Sequence, residues 1–122
     1  MNRRAKDEVR EERIDMEIIV DAYGPEERAM GWYNYLADTM NFPFSARCVA
    51  RRVTSPLELG DEVEVVEIAP AEECEHEMFV MIRWKSRQLA VPLMQLGGID
   101  VDEETQQAIE DWHYWVDRGY EM

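Results

Sequence analysis

Apolar residues along this chain recur first at helical spacing, then at a spacing of two, then at helical spacing again. Ile14, Ile18, Ile19 and Tyr23 stand among charged neighbours at intervals that place them on one side of an amphipathic helix. Gly24 followed by Pro25 marks a stop and a start, because glycine tolerates the left-handed conformation past a helix end and proline suits a first turn. Glu26 and Glu27 favour that new N-terminus through the helix dipole. The second helix carries Met30, Tyr33, Leu36, Ala37 and Met40 on one face and ends before Pro43.

From Phe44 the period changes. Phe44, Ala46, Cys48 and Ala50 alternate with Ser45, Arg47, Val49 and Arg51, which predicts a strand. A second strand is predicted over 61–68, with a bulge where adjacent Val65 and Val66 break the alternation. An acidic loop over 70–75 leads to a strand over 78–84, a tight turn at Lys85 to Arg87 and a returning strand over 88–92. One short helical turn is expected at Met94 to Leu96, before Gly97 and Gly98. Asp102 then reads as an N-cap, with Glu103 and Glu104 in the first turn. Ile109, Trp112, Trp115 and Val116 form the stripe of a last helix that Gly119 ends, and Trp32, Trp112 and Trp115 read as core.

These elements predict one α+β domain over 1–122: a frayed start through residue 12, an αα-hairpin over 13–42, a small antiparallel SH3-like β-barrel over 44–101, and a C-terminal helix over 102–119 packed on it. The barrel rests on analogy in the order of five short strands.

Charge changes this picture from fold to ligand. The 122 residues carry a net charge of −14, and the imbalance is lopsided: residues 1–60 hold 11 acidic and 9 basic side chains, residues 61–122 hold 16 and 4. With 46% hydrophobic residues and four tryptophans the chain is no disordered acidic tail. Like charges on one fold repel unless something cationic offsets them, and phosphate backbones or anionic lipid would be repelled as well. Nucleic acid and membrane are therefore excluded as expected partners, while cations and a basic protein partner remain. Cys48 and Cys74 belong to no paired spacing, and no apolar stretch near the start resembles a signal peptide, so a reduced cytoplasmic setting is expected.

Three groups of oxygen donors could hold a metal ion. Glu72, Glu73, Glu75 and Glu77 lie within six residues at a loop-to-strand junction, and calcium accepts six to eight oxygens in irregular geometry. Asp100, Asp102 and Glu104 alternate as in an EF-hand loop, but Thr105 stands where that loop needs glycine and Asp111 where it needs a bidentate glutamate. Asp38 lies near the C-terminal end of the second helix, where carbonyls already make the potential negative; a cation shared with Asn41 would reverse the penalty. Each group has a plainer use: a solvated charge run, acids complementing a helix N-terminus, a surface ion pair. Cys74 and His76, with Cys48 or His113, offer a soft-metal alternative without any paired spacing. No phosphate loop, nucleophile elbow or zinc-protease helix appears, and no enzyme is expected.

Six stretches carry a family likeness: IIVDAYGPEERAMGWYNYL at 18–36, NFPFSARC at 41–48, LGDEVEVVEIAP at 59–70, CEHEMFVMIRW at 74–84, LAVPLMQL at 89–96 and EETQQAIEDWHYWVDRGY at 103–120. Together they resemble the cyanobacterial calcium-binding protein family, whose founding member is associated with calcium sequestration during heterocyst development. The resemblance implies a cytoplasmic calcium binder of non-EF-hand type, acting as buffer or sensor. A basic protein partner bound without calcium, and an acidic mimic of nucleic acid, are the rival readings. Spread charges would favour mimicry, convergent ones an ion.

Overall fold

The computed structural model describes residues 5–120. Helix α1 (Glu8–Arg13) starts where the Asp7 carboxylate accepts the Arg10 backbone N–H at 3.0 Å. The chain expected to fray through residue 12 is thus helical from Glu8, held by contacts to the far end of the sequence; residues 1–4 lie outside the described residues. The helix widens into a π turn, Ile14–Ile18, that buries Ile14 and Ile18. It ends there, so Tyr23 is left 84% exposed and does not extend the apolar side. The left-handed residue is Asp21 (φ 59°), whereas Gly24 is extended and serves as N-cap to α2 (Pro25–Thr39), with Pro25 in its first turn.

Helix α2 buries Ala29, Trp32 and Leu36, and Met40 closes the same side. The core-facing stripe is therefore rotated from the expected one: Met30 is 66% exposed, because Trp32 takes the interior. Its ring meets Trp112 at 5.1 Å, Trp115 at 5.6 Å and Tyr35 at 6.0 Å between centroids. Large aromatic surfaces dominate burial, and edge-to-face contacts add to it.

Gly31 sets how closely α2 crosses the π turn. A Cβ there would lie 2.4 Å from the carbonyl oxygen of Ile18, closer than atoms approach. Gly31→Ala is expected to force the two segments apart and cost about 1–3 kcal/mol, measured as a lowered urea midpoint. An unchanged midpoint would show that the crossing yields freely.

Strand β1 (Phe44–Cys48) buries Phe44, Ala46 and Cys48 and exposes Ser45 and Arg47, as its period predicts. It pairs with β2 (Glu62–Ile68) on one side and β5 (Leu96–Ile99) on the other. The β2 register against β3 (Phe79–Trp84) shifts between Val65 and Glu67, which is the expected bulge. A tight turn with Lys85 at φ 57° joins β3 to β4 (Arg87–Pro92). All pairs are antiparallel, in the order β4-β3-β2-β1-β5.

The expected SH3-like barrel is corrected on one point. Among the described residues no ladder joins edge strands β4 and β5, so the sheet is open. The 3₁₀ turn Leu93–Gln95 carries the chain between the edges with isolated bonds, Leu93 N–H to the Met78 carbonyl at 2.9 Å and Val49 N–H to the Gln95 carbonyl at 2.7 Å. Single bonds at a corner do not close a barrel, which needs staggered pairing throughout. Helix α3 (Glu103–Asp117) buries Ala108, Ile109, Trp112 and Trp115 against α2 and the 3₁₀ turn. No helix of the described residues is long and apolar enough to cross a membrane.

Candidate metal centre

The C-terminal end of α2 meets the N-terminal end of α3. Asp102 caps α3: one carboxylate oxygen accepts the Thr105 backbone N–H and the other the Thr105 hydroxyl, each at 2.8 Å. Thr105 is fully buried, and its hydroxyl oxygen also accepts the backbone N–H of Asn41 at 2.8 Å. Asn41 and Asp102 are thereby linked through one shared hydroxyl. Asn41 is thus fixed to Asp102 and Thr105, some 60 positions further along the chain, and two of the three are predicted donors. The third, Thr105, was read only as the wrong residue for an EF-hand loop; its buried hydroxyl has no sequence signal beyond its place three residues after the cap.

Asp38 is exposed one turn back in α2. Asp100 is exposed and left-handed (φ 51°) between β5 and the cap, and Glu104 is exposed in the first turn of α3. The helix junction thus carries Asp38, Asn41, Asp100, Asp102 and Glu104 on neighbouring backbone, with Asn41 and Asp102 joined through Thr105. Their donor set is oxygen throughout, the chemistry calcium takes.

The second acidic group belongs to another place. Glu72 and Glu73 open a 3₁₀ turn, Ala71–Cys74, that lies beside the first half of α2. Glu75 and His76 are exposed, and Cys74 is buried with its sulfur accepting the Phe79 N–H at 3.4 Å. Burial pushes the Cys74 thiol up, with the Phe79 hydrogen bond acting against it. Glu77 already has a cation: Arg52 grips it with two bonds of 2.9 and 2.7 Å. Cys48 donates to the Ala50 carbonyl at 3.2 Å, and a ring nitrogen of His113 lies 3.2 Å from the Leu93 carbonyl. Among the described residues, no three His, Cys, Asp or Glu side chains stand close enough together to hold an ion. The soft-metal set is dispersed, and the carboxylate groups stand splayed.

Asp102 is held below the ordinary carboxylate range, chiefly by the Thr105 backbone N–H, then by the Thr105 and Asn41 side chains. A depressed carboxyl stabilises the fold above its unfolded pKa of 3.8 and loses that contribution as pH falls through the lower folded value. The junction is therefore expected to stay capped at pH 5 and to loosen only well below pH 4, read from amide exchange at Asn41 and Thr105. Loosening already at pH 5 would contradict the capping geometry.

The acid that sequence reasoning missed is Asp111. It is fully buried in α3 and accepts from Arg10 (2.6 Å), from Arg13 (2.6 and 2.8 Å) and from the Tyr35 hydroxyl (2.6 Å). A signal existed: Asp111 stands three residues after Ala108 and four before Trp115, on the apolar side, where a carboxylate requires a cation. Nearby, Glu11 accepts the hydroxyls of Tyr114 and Tyr120 at 2.7 and 2.5 Å.

Comparisons with known proteins agree with this architecture. The crystal structure of Anabaena CcbP is 43% identical with a TM-score of 0.88, and the match covers 100% of both chains. A calcium-binding protein solved in its calcium-binding form is 43% identical over 96% of both chains, with a TM-score of 0.85. No curated protein matches. A family profile described as calcium binding matches residues 12–116, and on that match the chain belongs to the CcbP family of calcium-binding proteins.

Proposed function

We propose that this chain binds calcium and acts as a cytoplasmic buffer or sensor, using two separate groups of carboxylates. One is the helix junction, Asp38, Asn41, Asp100, Asp102 and Glu104; the other is the loop with Glu72, Glu73, Glu75 and Glu77. The observation that carries this reading is the link from Asn41 through the Thr105 hydroxyl to Asp102 at the meeting of two helix ends, in a chain of a calcium-binding family. The loop lies beside the part of α2 around Met30, and the junction lies at Met40. Ten helical residues are about 15 Å, several times the roughly 2.4 Å reach of a calcium–oxygen bond. The two groups therefore serve different ions.

Splayed acids must be drawn together on binding, which costs ordering entropy and tempers affinity. Glu77 joins only by giving up Arg52. In return an ion removes repulsion among groups that few basic residues offset. Calcium added to chelator-treated protein is expected to release or absorb heat in a titration and to raise the melting temperature by mass action. Folded protein that shows neither at millimolar calcium would sink the proposal.

A further inference from the structure

The sequence places Met30 and Tyr33 on an apolar stripe, yet Met30 faces outward. It forms part of a groove of about 640 Å³ between the first half of α2 and the 3₁₀ turn after β2. Ala29, Met30 and Tyr33 line the α2 wall at helical spacing, with Glu26 one turn earlier; Glu72 and Glu75 stand on the opposite wall. The Tyr33 hydroxyl is already committed to the Ala69 carbonyl at 2.8 Å, so its ring, not its polar end, is what the groove offers. An exposed methionine beside an aromatic ring is an adaptable apolar surface.

The rim is acidic from both walls. Among the described residues neither Glu26, Glu72 nor Glu75 has an ion-pair partner, whereas Glu77, two residues past Glu75, is held by Arg52. We propose that this groove docks a basic amphipathic segment of a partner protein, an apolar side chain against Met30 and Tyr33 and Lys or Arg side chains against the three glutamates. Helix-in-groove recognition works in this way: apolar anchors supply affinity, and charge complementarity supplies orientation and a fast encounter. The site is distinct from the helix junction but shares Glu72 and Glu75 with the loop group, so calcium there would compete with the basic segment, and docking itself requires no calcium.

The test uses the full chain with calcium chelated, so that its failure and failure of the calcium reading are separate results. The probe is a fluorescein-labelled helical peptide of leucine and lysine, compared by anisotropy with a lysine–serine peptide of equal charge. The leucine–lysine peptide is expected to bind at least about tenfold more tightly than the lysine–serine one, and Met30→Lys to weaken it by about tenfold or more. Glu72→Gln with Glu75→Gln is expected to weaken binding and flatten its salt dependence. Amide shifts on binding are expected to centre on Ala29, Met30 and Tyr33. Because Met30 is exposed, its variant should fold; Met30→Gln, read the same way, covers the case where it does not. Equal binding of the two peptides, indifference to both Met30 variants, or shifts centred elsewhere would overturn the proposal. So would a free protein that is dimeric until Met30→Lys separates it, since a second copy would then own the groove.

Discussion

Replacing Asp111 by asparagine is expected to cost about 3 kcal/mol of folding stability, seen as a lower urea midpoint with little change in slope. Asp111 is fully buried, and its two oxygens receive four hydrogen bonds from two guanidinium groups and one hydroxyl. An amide cannot replace it: one oxygen becomes an NH₂ donor aimed at other donors, and the neutralising charge is lost. Two arginines would then share one site with only the longer pairs of Arg10 to Asp7 and Glu110, at 3.6 and 3.7 Å, left to offset them. Arg10 and Arg13 keep 21% and 23% of their side chains in contact with solvent, which screens part of the loss and sets the figure at the low end for a broken buried pair.

The same cluster fixes protonation around it. Burial first, then the hydrogen bond to Asp111, pushes the Tyr35 hydroxyl up to about 12, so it remains a donor through the physiological range. The Asp111 hydrogen bonds likewise raise Arg13 above its usual value. Because α1 is bound to α3 through this point, the loss should appear locally as well. Amide exchange over Glu8–Arg13 is expected to approach the rate of an unprotected segment in Asp111→Asn. If α1 stays protected, the Tyr114 and Glu11 contacts suffice to hold it, and the arginine cluster is dispensable.

What sequence makes legible here is whatever one element decides by itself. The alternation of β1, the Val65–Val66 bulge, the Asp102 cap and the Trp112–Trp115 stripe are all local, and the structure contains each of them. What it hides depends on partners. The rotation of α2 follows from Trp32 meeting two tryptophans about 80 residues away. The partners of α1, among them Asp111 and Tyr114, lie some 100 positions along the chain. Barrel closure is a property of two edges, which strand order cannot settle. The acidic groups show the same division: charge density marks the loop and the helix junction, but which carboxylates meet which neutral donors depends on packing between α2 and α3. Thr105 is the example, a residue that looks like a defect in a motif and is the hinge of the junction.

That division leads to the second large effect, on calcium. If the junction and the loop take different ions, disabling one must leave the other intact. Asp38→Asn with Glu104→Gln removes two exposed junction carboxylates without touching the Asp102 cap; Glu72→Gln with Glu75→Gln does the same for the loop while sparing the Glu77–Arg52 pair. Free calcium at a hundred times the dissociation constant stabilises by about 2.7 kcal/mol per independent site. Each double variant is therefore expected to lose about that much of the calcium-dependent rise in stability and one of two binding events in a calorimetric titration. The calcium-free variants should stay within about 1 kcal/mol of the parent, because relief of acid repulsion offsets the helix-dipole interaction lost with Glu104. A single shared site predicts something else: either double variant would abolish all binding. Retention of both events in one variant would instead remove that group from the ligand set. The geometry favours the additive outcome, since an ion held at one end of α2 cannot reach carboxylates about 15 Å along it.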